Sequence, residues 1–385
     1  MAKIKLPYWL DAVYGKIQKN NVVFRRKGRT IVLESDPTPS YTRSNAQAYV
    51  RNKYYDALKS WYSLSESDKK LYNEKGSRLG LSGWNVYVME AMKGIAYIPK
   101  IYEITIDNSQ NNNTLTDYQV LLNISNDSVF FSTIGDKKFM EFYDSDEITL
   151  LNHYVELWDT QNYNAKIWVK IPNIPANSIK KVYLKRNFTR TTDLSNPYNT
   201  FDFYDDFNVD LSKWTQNIGS WSLATDGGLS VLKSPSGDNS QISTSTFSIK
   251  DCRIISKFRF ANSLTGNKFG SLARWQNTTN TYLFQASPPE GGLYFWKCVN
   301  GTWYNFASIS FTFDLNYHIA DFRLFGTTLK LYFDGVLKLQ ATDSQFNVSG
   351  KVGFRKGDTS NYFYADYVEV VKYTEPEPSL TYTKL

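Results

Sequence analysis

Pairs of acidic side chains are the first residues here to consider for chemistry, because glycoside hydrolysis with retention needs two carboxylates about 5 Å apart. In the segment YADYVEVV, Asp366 and Glu369 are three residues apart. Residues three apart on a strand point to opposite faces, so this spacing does not predict a catalytic pair. The sequence also has no G-x-S-x-G, P-loop or H-E-x-x-H motif. We therefore predict that the protein is not an enzyme, and we keep glycoside hydrolysis as an alternative.

Aromatic side chains are the second group, because a sugar ring stacks on the apolar body of Trp or Tyr while the polar tip stays solvated. Trp303 is the best placed, since it follows the turn-forming pair Asn300-Gly301 in the segment NGTWYNF. The alternative is that aromatic residues on alternating strands are core residues, which holds for most of them. The candidate carbohydrate-binding residues are Trp275, Trp296, Trp303 and Tyr304.

Two cysteines and two histidines complete the reactive residues, and their spacing matches no zinc or haem motif. Cys252 and Cys298 form one disulfide if their strands are neighbours, or remain two buried free thiols, which is the interpretation we favour. His153 and His318 lie in strand-like segments, where a single histidine is most often structural.

Positive charge is concentrated at the N-terminus. Residues 1–99 contain 17 Lys and Arg against 8 Asp and Glu, whereas residues 100–385 contain 27 against 29. A basic patch, RRKGR, lies across a predicted hairpin turn and consists of Arg25, Arg26, Lys27 and Arg29. Such a patch contacts either nucleic-acid phosphates or an acidic neighbour in an assembly. We favour assembly and keep nucleic acid as the second choice.

The predicted type of secondary structure changes along the 385-residue chain, from helices to strands. We predict a multidomain, mainly β protein. Residues 1–99 alternate weakly in one stretch and then follow a helical period, which predicts a helical N-terminal module with one β-hairpin. Residues 100–200 form short strands of period two, which predicts a β-sandwich, and residues 201–373 continue as a second β-sandwich or jelly roll. The Pro-rich residues 374–385 predict a flexible tail.

Several segments resemble known families. Residues from about 100 to 207 resemble a β-domain called domain of unknown function 2341, in LTDYQVLLNI, MEFYDSD, the run from Tyr154 to Asn187 and SNPYNTFDFYDDFN. Residues 205–373 resemble a concanavalin A-like (LamG-type) jelly roll, in TTLKLYFDGVLKLQATD, SGKVGFRKGD and NYFYADYVEVV. Residues 1–99, with the element LSGWNVYV, are similar to a helical module of phage and archaeal-virus particle proteins. The β-domain family occurs in surface and adhesion-type proteins of archaea and bacteria.

The jelly-roll resemblance also implies a calcium site, because such domains often hold a structural calcium at their first and last strands. The matching residues are Asp205, Asp206 and Asp366. Calcium prefers carboxylate and carbonyl oxygens at about 2.4 Å, but the sequence has no D-x-D-x-D-G loop. The alternative is that these acids cap turns or are solvated.

Asn-x-Ser/Thr sequons occur in the β region and not in residues 1–99, which suits an exposed part of the protein that carries glycans. A chain rich in Asn, Ser and Thr also produces such triplets by chance. The candidate acceptors are Asn112, Asn123, Asn126, Asn187, Asn277, Asn300 and Asn347.

These observations together predict a virion structural protein. Pro7 and Asp11 interrupt the N-terminal apolar residues, so we expect no signal peptide, and no apolar segment is long enough to span a membrane. A particle protein needs no secretion signal, so we predict a spike, turret or fibre on the virion surface, assembled in the host cytoplasm. Residues 1–99 would form a homo-oligomer that contacts other virion proteins, and the β-domains would attach to a host-surface glycan.

Two other functions remain open at this point. One is a non-viral carbohydrate-binding protein of the cell surface or extracellular space. The other is a particle protein that binds nucleic acid through residues 1–99.

Overall fold

The computed structural model describes residues 45–64, 66–93, 100–187, 190–358 and 361–385, together with four short strands before residue 45. The chain divides into two compact units, Met1–Tyr97 and Ile98–Leu385. Among the described residues, no helix is long and apolar enough to cross a membrane. The mainly β, multidomain fold predicted from the sequence is confirmed.

The first unit begins with a small antiparallel sheet. Its strands are β1 (Lys3–Ile4), β2 (Lys16–Ile17), β3 (Val22–Lys27) and β4 (Thr30–Ser35). They are hydrogen-bonded in the order β1-β4-β3-β2, and β3 and β4 pair antiparallel as far as Lys27 and Thr30, as the predicted hairpin requires. The side chains of the predicted basic patch lie outside the described residues: Arg25, Arg26, Lys27 and Arg29.

Three helices follow in the first unit, α1 (Asn45–Ser63), α2 (Glu66–Leu79) and α3 (Gly83–Lys93). α2 ends where Gly80 adopts a φ of 66°, a conformation that costs glycine little, and Leu81 then donates its N–H back to the last turn at 2.9 Å. An aromatic cluster joins the helices, with Trp61 and Tyr72 at 5.5 and 5.1 Å from the ring of Tyr87.

The second unit begins with a β-sandwich of two sheets. Its elements are β5 (Lys100–Asp107), β6 (Leu115–Ile124), α4 (Ser128–Ile134), β7 (Met140–Tyr143), β8 (Leu150–Leu151), β9 (His153–Asp159), β10 (Asn164–Ile174) and β11 (Ile179–Arg186). One sheet has the order β6-β10-β9, and the other contains β5-β11-β7-β8. Alternate residues such as Ile104, Ile106, Val120 and Leu122 are buried in its core, because successive side chains on a strand point to opposite faces.

A jelly roll of two larger sheets follows. Its elements are α5 (Pro197–Thr200), β12 (Phe203–Asp205), β13 (Trp214–Ile218), β14 (Ser222–Asp226), β15 (Leu229–Lys233), β16 (Ser240–Thr244), β17 (Cys252–Phe260), β18 (Lys268–Asn277), β19 (Asn280–Ser287), β20 (Gly292–Val299), β21 (Thr302–Ser310), β22 (His318–Phe325), β23 (Thr328–Phe333), β24 (Val336–Thr342), β25 (Lys351–Gly357) and β26 (Phe363–Lys372). The eight-stranded sheet runs β14-β15-β26-β17-β22-β23-β24, with β12 also paired to β26. The seven-stranded sheet runs β13-β16-β25-β18-β19-β20-β21. Phe258 and Phe269 stack at 3.6 Å between the two sheets, in a core rich in phenylalanine.

The C-terminal residues return to the first β-sandwich. β27 (Ser379–Lys384) pairs antiparallel with β5 along its whole length and so extends that sheet by one strand. Leu380 and Tyr382 alternate toward the core of the sandwich. The predicted flexible tail of residues 374–385 is therefore wrong over β27, because a period-two segment follows the prolines and buries its apolar side chains.

The two β-domains of the second unit pack against each other through the outer face of the eight-stranded sheet. We call this contact the junction, and its buried residues are Trp168, Phe201, Tyr204, Ile255 and Val371. Trp168 is only 1% exposed and donates from Nε1 to Glu156 at 2.8 Å. The junction makes the first sandwich and the jelly roll one packed body.

Cys252 and Cys298 are both buried and unpaired. The interpretation as two buried thiols is confirmed, and the alternative of a disulfide is wrong.

Candidate functional site

The outer face of the seven-stranded sheet carries a row of polar side chains. In antiparallel pairs, residues directly opposite each other lie on the same face. Arg355 of β25 is opposite Gly270 of β18, which is opposite Gln285 of β19. Their neighbours along the strands, Phe354 and Phe284, are core residues. Arg355 and Gln285 therefore point away from the core.

Gly270 allows the two polar side chains of this row to meet. A Cβ at this position would lie 2.5 Å from Leu283 Cδ1 and 3.1 Å from the carbonyl oxygen of Arg355. Because no side chain stands between the flanking strands, Arg355 Nη1 donates to Gln285 Oε1 at 3.3 Å. The absent side chain thus leaves room for Leu283 and Arg355 to lie over this position of the sheet.

A cleft of about 410 Å³ lies over this row, and we call it the outer cleft. Its volume falls within the range of about 300–1,000 Å³ that small-molecule sites occupy. The lining residues are Asp238, Lys268, Leu283, Gln285, Glu290, Trp296, Trp303, Arg355, Gly357 and Asp358.

Part of the outer cleft is aromatic. Trp296 of β20 and Trp303 of β21 are half-buried and pack with Leu283 and Trp275 in one small apolar cluster. Trp275 is buried and donates from Nε1 to Gln241 Oε1 at 3.1 Å, which fixes its ring. Trp296 and Trp303 consequently present supported aromatic surface to the cleft.

The rest of the lining is polar or charged. Arg355 donates from Nε to Asn239 Oδ1 at 3.0 Å, and its guanidinium lies 4.7 Å from the ring centre of Trp303. Lys268 and Glu290 form an ion pair at 2.6 Å. The cleft therefore places hydrogen-bonding groups beside aromatic faces.

Arg355 has an unusual electrostatic environment for a buried arginine. Burial lowers its pKa, and the acids around it, Asp238 first, offset that shift only in part. Asp238 Oδ1 lies 3.8 Å from Nη2 and is the one carboxylate oxygen within 4 Å of it in the described part of the chain. Burial acts on Asp238 as well, but hydrogen bonds from the backbone N–H groups of Asp358 and Asn239 hold its pKa below the ordinary value.

The structure brings together three of the four predicted aromatic residues. Trp296 and Trp303 line the outer cleft, and Trp275 belongs to the cluster that supports them. Tyr304 is exposed, but it follows Trp303 on the same strand and so points to the other face of β21. Tyr304 is not part of the site.

The polar residues of the site, among them Arg355, Gln285 and Lys268, were missed by sequence reasoning. Their positions on three different strands come together only through the register of β25, β18 and β19. The segment KVGFRKG contained no signal that singles out Arg355, since Lys351 and Lys356 lie on the same strand.

Asp366 and Glu369 do not follow the predicted alternation. A β-bulge where β26 pairs with β17 shifts the register between Lys257 and Phe258, and Asp366 bonds Lys257 Nζ at 2.7 Å on the outer face. Glu369 is on the same face but is buried at the junction, where burial first and Glu156 second raise its pKa well above the ordinary value. The prediction that these acids point to opposite faces is wrong, and neither lines the outer cleft.

The predicted calcium ligands are engaged by protein groups. Asp205 accepts from Trp214 Nε1 at 2.6 Å, Asp206 accepts from the Tyr198 hydroxyl at 3.0 Å, and Asp366 pairs with Lys257. Both Asp205 and Asp206 also accept a backbone N–H two residues on, as turn-capping acids do. In the residues that the structure describes, no group of three or more His, Cys, Asp or Glu is arranged to hold a metal ion.

The sequon asparagines lie at or near the surface. Five are exposed and two are half-buried, and their modification stays a prediction: Asn112, Asn123, Asn126, Asn277 and Asn300 in the first group, Asn187 and Asn347 in the second.

Residues 136–217 match the family described as Domain of unknown function (DUF2341). The match confirms the predicted resemblance where the two overlap, but it begins after residue 100 and ends in β13 of the jelly roll. The matched residues therefore extend from the first sandwich into the jelly roll. No curated protein matches the chain. The resemblance of residues 1–99 to particle proteins stays a prediction.

Solved structures of carbohydrate-active proteins are similar to part of the chain. The carbohydrate-binding module CBM66 from Bacillus subtilis is 21% identical over 42% of this chain and 97% of its own, with a TM-score of 0.38. The β-glucanase of Bacillus licheniformis is 16% identical over 44% and 98%, with a TM-score of 0.36. The GH43 protein BlXynB of Bacillus licheniformis is 16% identical over 57% and 46%, with a TM-score of 0.38.

Proposed function

We propose that the outer cleft binds a carbohydrate. The observation that carries this proposal is the combination, in one cleft, of half-buried tryptophan faces and hydrogen-bonding side chains. A sugar ring has the same two kinds of surface, since its C–H groups form apolar patches and its hydroxyls surround the ring. Trp296 and Trp303 would contact the C–H patches, while Gln285 and Arg355 would bond hydroxyl oxygens.

We also propose that the cleft binds without hydrolysing. The general acid of a glycosidase must remain protonated near neutral pH, which requires a raised pKa. In the outer cleft, Glu290 is ion-paired with Lys268 at 2.6 Å, and backbone hydrogen bonds help to hold the pKa of Asp238 below its ordinary value. Both features support a positioning role for these acids.

The setting of this activity is a further part of the proposal. Glycan binding would serve either a cell-surface protein, which is the alternative the outer cleft supports directly, or the attachment of a virion spike, turret or fibre. A homo-oligomer formed by residues 1–99, its contacts with other virion proteins, and nucleic-acid binding by the same residues stay predictions.

Adjacent aromatic residues on β21 provide a matched test. The full chain and the variants Trp303→Ala and Tyr304→Ala are applied to immobilised neutral and acidic polysaccharides, and Kd is then measured for oligosaccharides of the best binder. Trp303→Ala should weaken binding at least about tenfold, or ~1.4 kcal/mol, and Tyr304→Ala should leave Kd unchanged. Equal binding by wild type and Trp303→Ala would sink the proposal.

A further inference from the structure

Arg355 differs from the other arginines of the jelly roll in its carboxylate partners. Its contact with Asp238 measures 3.8 Å. The others form hydrogen-bonded ion pairs with aspartates: Arg253 and Arg323 with Asp321, Arg259 with Asp226, and Arg274 with Asp251. The jelly roll therefore pairs its arginines closely with aspartates, except for the one that lines the outer cleft.

The hydrogen-bond partners of Arg355 are neutral. Nε and Nη1 donate to the amide oxygens of Asn239 and Gln285, and Nη2 donates no hydrogen bond to any described residue. A guanidinium that is largely removed from water and bonded to neutral acceptors is only partly compensated for its lost hydration. The lowered pKa of Arg355 has the same origin.

Two of the three acids that line the cleft are already engaged by other groups. Glu290 is paired with Lys268, and Asp238 accepts backbone N–H groups of Asn239 and Asp358. Trp303 meanwhile holds the guanidinium plane from one side. Arg355 is thus oriented, largely buried and short of a close anionic partner, and it lines an open cleft.

We propose that the outer cleft selects glycans that carry an oxyanion, either the carboxylate of a uronic acid or a sulfate ester, and that Arg355 binds this group. The inference rests on the carbohydrate binding proposed above and adds the chemical class of the ligand. Guanidinium is suited to this task because its planar fork of N–H donors matches the oxygens of carboxylate and sulfate. The sugar ring of the same residue would lie against Trp303 or Trp296.

The test uses matched pairs of oligosaccharides on several backbones. Each pair shares one backbone and linkage and differs only at C6, carboxylate against hydroxymethyl, as in α-1,4-linked trigalacturonate against galactotriose. A second set pairs sulfated with desulfated galactan oligosaccharides, so that the two sources of the oxyanion are separated. The preferred ligand should be an anionic member, bound at least about tenfold more tightly than its neutral partner, and added NaCl should reduce this preference.

The variants are Arg355→Gln, Arg355→Lys and, as a charge-matched control, Lys338→Gln on β24 of the other sheet. Arg355→Gln should bring anionic and neutral members to equal affinity. Arg355→Lys, which keeps the charge and the fold but loses the fork, should retain part of the preference. Lys338→Gln should retain all of it. A preference that survives in Arg355→Gln would overturn the inference.

Failure of this inference is separable from failure of the proposed function. If the members of each pair bind equally well and Trp303→Ala weakens both, carbohydrate binding stands and the selection of anionic glycans is wrong. If no pair binds at all, both are wrong.

Discussion

Each outer face of the jelly roll has an arginine that contacts a tryptophan, yet one pair is covered and the other is open. In the covered pair, the tryptophan belongs to β10 of the first sandwich. At the junction, the guanidinium of Arg253 lies 5.3 Å from the ring centre of Trp168. On the seven-stranded sheet, the guanidinium of Arg355 lies 4.7 Å from Trp303. Trp168 is fully buried between the first sandwich and the jelly roll, whereas Trp303 lines a cleft.

The two arginines also differ in how close their carboxylate partners lie. Arg253 contacts Asp321 at 2.8 Å and Glu377 at 3.3 Å. Burial alone would lower its pKa, but these acids raise it overall. For Arg355 the effect of burial is the larger one, and its pKa is lowered.

The comparison shows that a contact between tryptophan and arginine does not by itself indicate a function. A tryptophan–arginine contact with a full set of carboxylates is a structural element that closes an interface. The same contact with neutral partners, on an open face, leaves binding capacity to a ligand. The number of carboxylates close to the arginine therefore distinguishes the two sites better than the presence of the tryptophan–arginine contact does.

Trp168→Ala should produce the largest loss of stability, because it opens a cavity in the junction and leaves Glu156 without the indole N–H. We expect the free energy of unfolding to fall by about 3–5 kcal/mol. Chemical denaturation of the full chain measures this change, with Trp303→Ala as the matched variant, for which we expect a loss below about 1 kcal/mol. Equal losses for the two tryptophans would show that the outer cleft is as structural as the junction.

Deletion of residues 378–385 should have the next largest effect. It removes β27 and uncovers the edge of β5, together with the partly buried Leu380 and Tyr382. We expect a loss of about 2–3 kcal/mol, given that two large apolar side chains become unburied. Hydrogen exchange should accelerate in β5 and β11 and remain unchanged in β18 and β19 beneath the outer cleft. Unchanged exchange in β5 would contradict the pairing of β27 as a stabilising feature.

Much of the fold follows from local patterns in the sequence. Alternation of apolar residues predicts strands because each side chain's face depends only on its neighbours. β27 was not predicted, because the prolines of TEPEPS indicate a flexible tail. The strand is stabilised by pairing with β5, which lies some 270 residues earlier in the chain. The bulge at Asp366 was hidden for a similar reason, because it exists only in the pairing of β26 with β17.

In the candidate site too, some residues could be identified from local sequence and others depend on strand pairing. Trp303 could be identified from its residue type and the turn before it. Arg355 could not, because its proximity to Gln285 depends on the register of three strands and on the missing side chain of Gly270. Trp168 lies in a segment that resembles domain of unknown function 2341, but its neighbours in the sequence did not indicate that it lies at an interface.

Glu369→Gln should alter the pH dependence of stability through the junction. Burial holds the pKa of Glu369 above its ordinary value of 4.5, so the folded state favours the protonated acid. Stability from this site is complete below about that pH and is lost as pH rises through the folded pKa. The charged groups that act on it are Glu156, Arg253, Lys166 and Asp321.

Glutamine cannot ionise, so the Glu369→Gln variant should be more stable than wild type at neutral pH and equal to it near pH 4. Thermal melting from pH 4 to 8 measures the difference. The same substitution at the cleft acid Glu290, which is paired with Lys268, should give no such gain. A constant difference across the pH range would contradict the assignment to ionisation of Glu369.

Arg355→Met should give the smallest change in stability and the clearest contrast between the two faces. Because the guanidinium is buried without a close carboxylate, its replacement by an apolar side chain of similar length should leave the free energy of unfolding unchanged or raise it by up to about 1 kcal/mol. Arg253→Met, which removes charge-assisted bonds to Asp321 and Glu377, should lower it by about 1.5–3 kcal/mol. Denaturation of the two variants at pH 7 makes the comparison. A gain in stability that accompanies loss of ligand binding is expected of a residue retained for its function. If Arg355→Met proved as destabilising as Arg253→Met, Arg355 would be a structural residue, and the open face would differ from the junction only in what covers it.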